Sequence, residues 1–363
     1  MSLFWEEFRK MWDRKIVRTG LAVLTAVLIF YFYGDTRSRM TVVEKTRYWG
    51  LEAVRADREV TKEWEGVLTL EKLDRILDTY GIAGEEMPGD PATRKGNWVS
   101  RYATDLLTDY PQGGNGELKG ETERERIRSI LDRYQPHFAY MDGLASLLFE
   151  GGMMADFGIM LLVILAVTSV FAEEYSLKTA TLLLSSVEGR KKDIRMKVLA
   201  GFLGAGILYS LVHGVMLGVH LAIYGSAGLK AGACLLNCIT GYETLSVGQV
   251  WGINLGWGLL GVWMLTGAVL LFSAKCQTSF HALIWSLVFL GSGYLIVQTA
   301  QILRFHGITY RLLMAAGLWS PFYLPSSYGI SLPVSPLWKG MYVLAVTAGC
   351  IWGGQRIYRK KEV

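Results

Sequence analysis

The chain has 363 residues, of which 51% are hydrophobic and 19% are charged, and its mean hydropathy is +0.28. This composition is too apolar for an ordinary soluble domain and too charged for a chain made only of membrane spans. We therefore expect a membrane domain with one sizeable soluble segment. The formal net charge of +5 does not indicate nucleic-acid binding, because the basic residues collect beside apolar stretches, where membrane topology accounts for them.

Residues 1–15 form an amphipathic segment before the first apolar stretch. Its apolar positions recur at helical spacing: Leu3, Phe4, Phe8, Met11 and Trp12. The pattern predicts a helix that lies in the membrane interface, and the alternative is a loosely attached amphipathic tail. Residues 16–33 then predict the first span. We expect it to stay in the protein and not to be removed as a signal peptide, because no small-residue cleavage site follows Tyr33.

Residues 34–150 form the soluble segment, which we expect to be extracellular and mainly helical. The pattern predicts a helix within Thr41–Glu65, a second helix capped by Thr69 and a third over Glu117–Tyr134. Gly81–Asn97 is rich in Gly, Pro and charge and predicts a loop. At about 115 residues, the segment is long enough to bury a small core of its own. It contains no catalytic constellation, and its charge runs are typical of solvated helix faces.

Residues 151–363 predict a membrane domain with five further spans. The predicted spans are Gly152–Phe171, Val198–Tyr224, Trp251–Phe272, Phe280–Leu303 and Gly340–Gly354. Residues 304–339 predict a re-entrant or interfacial segment, because their apolar run is too short to span and prolines interrupt it. The predicted fold is an all-α polytopic membrane protein with six transmembrane helices and both termini inside. Cys234 and Cys238 fall in a predicted outer loop, where a disulfide is conceivable.

Several polar residues lie within the predicted spans. An ionisable residue in a span is a functional hypothesis by default, but Asp156 is close to the outer end, which favours a solvated or capped carboxylate. His213 and His220 share one helix face and have two interpretations, contact with a polar substrate or hydrogen bonding to a neighbouring helix or backbone carbonyl. With Gln298 and Gln301, they form a possible substrate path.

The linker between the second and third predicted spans, residues 172–197, organises the membrane domain. Its basic residues are Lys178, Arg190, Lys191, Lys192, Arg195 and Lys197. Short loops rich in Lys and Arg stay in the cytoplasm. The chain has no G-x-x-x-x-G-K-[ST] motif, no H-E-x-x-H, no G-x-S-x-G and no clustered metal ligands. We therefore predict no catalytic residue, no bound metal and no ATP site in this chain.

The linker resembles the first cytoplasmic loop of permease subunits of type-2 ATP-binding-cassette (ABC) exporters. The matching residues are Glu174, Thr179, Leu182, Leu183, Leu184, Arg190 and Lys197. Lys178 stands where that loop usually has Gly, and Val187 where it usually has Pro. The six-span plan is similar across nearly the whole chain, and the large segment after the first span resembles that of permeases from Gram-positive bacteria.

The resemblance implies a coupling helix within the linker that docks on an ABC ATPase subunit. Leu182–Leu184 would offer an apolar face, and Glu173, Glu174 and Arg190 would offer polar contacts. The complex would contain two permeases, identical or related, and two ATPase subunits that bind ATP and Mg. It would export an amphipathic peptide, lipid or drug across the plasma membrane. The alternative is a membrane-anchored sensor or scaffold that binds an extracellular ligand without transport.

Overall fold

A computed structural model describes residues 2–84, 96–109, 116–179, 192–236, 242–303 and 336–360. The described chain is mostly helical, with two short antiparallel strand pairs. In chain order, the elements are α1 (Ser2–Trp12), α2 (Lys15–Ser38), β1 (Met40–Val43), β2 (Thr46–Trp49), α3 (Gly50–Lys62), β3 (Gly66–Val67), α4 (Leu70–Tyr80), α5 (Trp98–Leu107), α6 (Glu121–Tyr134), β4 (His137–Phe138), α7 (Gly151–Val167), α8 (Ser169–Ser176), α9 (Ile194–Tyr224), α10 (Val247–Lys275), α11 (Ser279–Ile302) and α12 (Pro336–Lys360). A π-helical turn, Ser146–Glu150, precedes α7, and short 3-10 turns form at Ala227–Lys230 and Ala233–Leu235.

Four helical stretches in the described part of the chain are long and apolar enough to cross a membrane. They are Lys15–Ser38, Ser146–Ser176, Ile194–Tyr224 and Val247–Lys275. They coincide with the first four predicted spans, and each extends beyond the predicted bounds at one or both ends. The protein therefore has a mostly helical fold with apolar helices of membrane-spanning length.

The fifth and sixth predicted spans correspond to α11 and α12, which fall outside this group of four. The helix α12 begins at Pro336, a residue suited to the first helical turn, and ends at the basic pair Arg359 and Lys360. It is therefore longer than the predicted span Gly340–Gly354. The six-span arrangement stays a prediction. Most of the predicted re-entrant segment, residues 304–335, lies outside the described residues.

The chain divides into two compact units. The first unit contains Met1–Leu28, Gly152–Val215 and Asn254–Val363. The second unit contains Ile29–Gly151 and Met216–Ile253.

In the first unit, glycines permit close contact between helices. Gly20 on α2 meets the side chain of Leu162 on α7, and Gly158 on α7 meets Leu24 on α2, so a Cβ at either glycine would collide with a leucine. The N-terminal helix α1 packs on α9 in the same manner, since Met11 is buried against Gly204. This contact argues against the loosely attached tail. The interfacial position of α1 stays a prediction.

In the second unit, a β-hairpin replaces the first part of the helix predicted over Thr41–Glu65. The strands β1 and β2 pair antiparallel from Met40 opposite Trp49 to Val43 opposite Thr46. Two residues join them, Glu44 and Lys45, both with positive φ, as in the tight turns that suit a two-residue hairpin. The helix is predicted because the stretch is charged and lacks proline. The β-branched residues at 41–43 and the aromatic pair at 48–49 instead favour strands.

Helices α3, α4 and α5 pack around the core of the second unit. The predicted cap is confirmed, because Thr69 Oγ1 accepts a hydrogen bond from Lys72 N, and Gly81 follows the end of α4 with φ of +77°. The predicted helix over Glu117–Tyr134 begins only at Glu121. Of the predicted loop Gly81–Asn97, residues 85–95 lie outside the described residues.

An aromatic group closes this core. Phe138 on β4 is fully buried, and its ring stacks on Trp98 with centroids 5.4 Å apart. Tyr102 lies 5.3 Å from the same ring and donates a hydrogen bond to Leu235 O. The second unit therefore has its own hydrophobic core.

Candidate functional site

Lys197 is the centre of a buried ion cluster in the first unit. Its side chain is 1% exposed, and Nζ lies 2.7 Å from Glu174 Oε1 and 4.0 Å from Glu7 Oε1. It also donates a hydrogen bond to Asp193, one turn earlier on the chain. A buried ammonium is tolerated only when carboxylates compensate for the lost hydration. The cluster therefore ties together α1, the end of α8 and the start of α9.

Tyr358 connects the end of α12 to the same cluster. Its hydroxyl donates a hydrogen bond to Glu174 Oε2, and the residue is fully buried. Its ring lies 4.7 Å from Phe171 and 5.6 Å from Tyr175, centroid to centroid. Glu174 thus receives hydrogen bonds from two different helices at its two oxygens.

Ser273 connects α10 to the junction between α7 and α8. Its Oγ accepts hydrogen bonds from Phe171 N and Ala172 N at 3.0 and 3.1 Å. Its hydroxyl donates to Thr168 O at 2.8 Å. Thr168 is the residue between the two helices, where the backbone pattern is interrupted. One side chain of α10 therefore hydrogen-bonds to three backbone groups at this interruption.

The described start of the linker follows directly from this cluster. Glu173 pairs with Arg14, the residue before α2, and Thr179 N donates a hydrogen bond to Glu174 O at 3.0 Å. Lys178 has φ of +58°, so the chain turns sharply after α8. The other residues predicted for the coupling loop lie outside the described residues: Leu182, Leu183, Leu184 and Arg190.

The cluster fixes the two ends of the linker to each other. Glu174 lies near the start of the linker and Asp193 and Lys197 near its end, and the two carboxylates meet at the Lys197 ammonium group. Lys10 supplies a second positive charge, since its Nζ lies 2.6 Å from Glu7 Oε1. A displacement of the loop would therefore move several helix ends together, because separating them would leave buried charges without partners.

A second polar pair lies between α7 and α9. His213 Nε2 and Asp156 Oδ1 are 3.0 Å apart, and the two residues are 6% and 4% exposed. The predicted solvated or capped Asp156 is therefore wrong, because the helix packing covers the carboxylate. Of the two interpretations of His213, the structure shows hydrogen bonding to a neighbouring helix. Tyr209 packs on the His213 ring, with centroids 4.4 Å apart.

The possible substrate path also includes His220, Gln298 and Gln301. His220 belongs to the second unit, is 1% exposed and stacks on Tyr224 at 5.1 Å. Within the described residues, its Nδ1 has no hydrogen-bond partner. The side chains of Gln298 and Gln301 lie outside the described residues. The substrate path stays a prediction.

The second unit contains a polar cluster around Arg39. The guanidinium contacts Asp35 at 2.9 Å and also Asp142, while Tyr224 and Ser146 each donate to Asp35 Oδ2 at 3.0 Å. Burial by itself would lower the pKa of Arg39, but the two carboxylates outweigh it and raise that pKa. The cluster joins the C-terminal end of α2, the segment before α7 and the last residue of α9.

Asp57 is a buried carboxylate in the core of the second unit. Its Oδ1 accepts hydrogen bonds from Thr41 Oγ1 at 2.6 Å and Trp98 N at 2.8 Å, and Arg101 Nη2 lies 3.2 Å from Oδ2. Burial raises the pKa of Asp57 to about 6, against the opposing effects of Arg101 and the two hydrogen bonds. The residue holds the hairpin, α3 and α5 together.

The described residues contain no group of three or more His, Cys, Asp or Glu side chains that could hold a metal ion. The conceivable disulfide involves Cys238, which lies outside them. The chain matches no protein-family model and no well-characterised protein in sequence.

Sequence reasoning missed three members of the Lys197 cluster, Glu7, Asp193 and Tyr358. One signal was available, because Asp193 and Lys197 are four residues apart and form an i,i+4 pair on a helix. Nothing in the local sequence marks Glu7 or Tyr358, since each comes from a distant part of the chain.

Proposed function

We propose that the chain is the permease subunit of an ABC transporter of the type-2 exporter class. It exports an amphipathic substrate, such as a peptide, lipid or drug, across the plasma membrane. The energy comes from ATP hydrolysed, with Mg, by separate ABC ATPase subunits, and a second permease subunit, identical or related, completes the pathway. Both termini and the linker 172–197 face the cytoplasm, and residues 34–150 are extracellular.

The observation that carries this proposal is the buried Lys197 cluster at the base of the linker. A surface loop that merely connects two helices has no need of a buried ammonium surrounded by three carboxylates. A loop that receives force needs rigid attachment at both ends, because a flexible attachment would absorb the displacement. Here Glu174 and Lys197 provide that attachment, with Tyr358 linking α12.

This arrangement supports a simple mechanical model. An ATPase subunit docks on the apolar loop residues Leu182–Leu184 and moves when it binds and hydrolyses ATP. The loop transmits the movement to α8 and α9, and through Glu7 and Tyr358 to α1 and α12. The helices rock between two packed arrangements rather than bend, because closely packed helices have discrete alternatives.

The docking step is tested with Leu183→Asp in native membranes. We expect the variant to insert normally but to lose co-purification of a protein with a phosphate-loop motif, together with the stimulated ATPase activity. Leu118→Asp is the matched control, because Leu118 is an exposed leucine of the second unit outside the linker. If Leu183→Asp retains partner and activity, docking through this loop is wrong.

The topology is tested by labelling. A single cysteine at Arg190 or Lys191 should react with a membrane-impermeant maleimide only after the membrane is opened, while one at Thr46 should react in intact cells. Reaction of the linker position in intact cells overturns the proposed arrangement.

A second candidate function is a membrane-anchored sensor or scaffold without transport. The observation in its favour is that the second unit has its own hydrophobic core, around Leu73, Ile76 and Phe138, as a ligand-binding domain would. A complex purified from gently solubilised membranes with no ATPase subunit, even for the unmodified chain, would favour this candidate.

A further inference from the structure

Trp49 and Leu51 are large apolar side chains left exposed at the base of the hairpin in the second unit. They are 56% and 50% exposed. Gly50 lies between them with φ of +61°, where the strand β2 ends and α3 begins. An exposed tryptophan beside an exposed leucine is an unfavourable surface in water, with a cost set by the apolar area that remains hydrated.

These side chains are held beside the end of a candidate membrane span. Gly50 N donates a hydrogen bond to Arg39 O at 2.9 Å, and Trp49 pairs with Met40 across the hairpin. A Cβ at Gly50 would lie 4.0 Å from Arg37 Cα, in the last turn of α2. Trp49 and Leu51 therefore have nearly the same depth as the final turn of that helix.

The depth of this turn follows from the charges on α2. Arg18 and Arg37 are both exposed, and the apolar sequence between them contains no other charged residue except Asp35. Their separation along a helix axis is about 28 Å, close to the hydrocarbon thickness of about 30 Å. Arg18 donates back to Asp13 O, beyond the N-terminal end of α2. The two arginines thus suit opposite membrane surfaces, and the final turn of α2 lies at headgroup level.

One face of α2 continues toward the hairpin. Phe30, Tyr33 and Arg37 follow one another at three- and four-residue spacing, so they lie on the same side of the helix. Phe30 and Tyr33 are strongly exposed, as expected of a surface that contacts lipid. Phe30 suits the hydrocarbon, Tyr33 the aromatic belt and Arg37 the headgroup region, which is the order met on leaving the bilayer.

We propose that Trp49 and Leu51 insert into the lipid interface of the membrane at the Ser38 end of α2. They anchor the second unit to the bilayer surface. Their role is that of an aromatic belt, but they come from the hairpin and the start of α3 and not from a membrane span. The occupant of this surface is lipid at the boundary between headgroups and acyl chains. This inference does not rest on the proposed transport function, since it requires only that α2 crosses the membrane.

The test measures the depth of position 49 in the full-length protein, reconstituted into phosphatidylcholine vesicles. In a variant with all four cysteines changed to serine, Trp49→Cys is labelled with an environment-sensitive fluorophore. Thr46→Cys, at the opposite end of the same hairpin, is the matched control because it is exposed and joined to the turn. Quenching is compared for a spin-labelled lipid with its label near the headgroup and for aqueous iodide.

We expect lipid quenching at position 49 to exceed that at position 46 by about twofold or more, and iodide quenching to show the reverse order. Equal iodide quenching at both positions would show that the tryptophan faces water and would overturn the inference. Protection from both quenchers would mean that protein, such as a second copy of the chain, covers the surface, and this also overturns it.

Insertion of Trp49 can also be tested through the protein's own tryptophan fluorescence, without replacing the cysteines. In vesicles of brominated lipid, the fluorescence of the parent protein is compared with that of Trp49→Phe. Loss of a bromine-quenched component in the variant supports insertion. An unchanged quenched fraction overturns it.

Discussion

Lys197 Nζ lies 2.7 Å from Glu174 Oε1, and this buried ion pair joins residues near the start and the end of the linker 172–197. The pair holds the two described ends of the linker together. Its surroundings extend the connection to α1 through Glu7 and to α12 through Tyr358. The arrangement predicts a strong dependence of stability on a few charged residues.

The first prediction concerns Lys197→Met, which keeps the length of the side chain and removes the charge. It leaves the carboxylates of Glu174 and Asp193 buried without their ammonium partner, a loss of about 3–5 kcal/mol. We expect the apparent unfolding temperature in detergent to fall by roughly 5 °C or more. Lys62→Met is the control, because Lys62 forms an exposed pair with Glu59 that contributes about 1 kcal/mol or less.

The double variant Lys197→Met with Glu174→Gln distinguishes loss of charge balance from loss of packing. It should recover part of the stability that Lys197→Met loses, because one uncompensated carboxylate is removed. A double variant as unstable as the sum of the two single variants would contradict the ion-cluster interpretation.

The second prediction concerns the Asp156–His213 pair. Replacing Asp156 by Leu leaves the His213 ring without its acceptor inside the helix packing, whereas Asn retains an acceptor oxygen. We expect Asp156→Leu to cost about 1–2 kcal/mol more than Asp156→Asn. A double-mutant cycle with His213→Leu, followed by thermal unfolding, measures the coupling, and additive effects would show that the two groups do not interact.

The third prediction is a pH dependence from Asp57. Burial raises the pKa of Asp57 from 3.8 to about 6, so the folded chain binds this proton more tightly than the unfolded chain does. The stability that this form contributes is fully present below about pH 4 and is lost as pH rises through about 6, a change of about 3 kcal/mol. Asp57→Asn removes this titration. We therefore expect the variant to gain stability relative to the parent as pH rises from about 4 to about 7.

The measurement for Asp57 is the unfolding temperature of parent and variant at each pH. Asp78→Asn removes an exposed carboxylate from α4. It shows how the loss of any one carboxylate changes the pH dependence of the unfolding temperature. If the difference between parent and Asp57→Asn stays constant with pH, the pKa of Asp57 is not raised.

The fourth prediction concerns Gly143→Ala in the second unit. Gly143 has φ of +80°, and a Cβ there would collide with the ring of Tyr224. Gly81 has a similar φ of +77° but nothing within 4 Å of a Cβ, so Gly81→Ala carries backbone strain without the collision. We expect Gly143→Ala to lose about 2 kcal/mol more than Gly81→Ala in thermal unfolding. Equal losses would mean that the Tyr224 ring can move aside.

The contrast between Thr69 and Thr41 shows what local sequence decides. Thr69 caps α4 as predicted, because a cap depends on residues within one turn of it. Thr41 falls in a predicted helix but lies in a strand, where its hydroxyl donates a hydrogen bond to the buried Asp57. A partner sixteen residues away has no trace in the local pattern. The burial of Asp156 is absent from the local pattern for the same reason, since its contact with His213 depends on the packing of α9.

By itself, the sequence determined the mostly helical fold and the four long apolar helices, because hydrophobic length and periodicity are properties of contiguous residues. It also singled out the linker through its charges. Only the tertiary structure decided that Lys197 is buried and that Glu7, Glu174, Asp193 and Tyr358 meet around it. The physical reason is that a buried charge is stabilised by partners from other helices, whose arrangement depends on packing and not on distance along the chain.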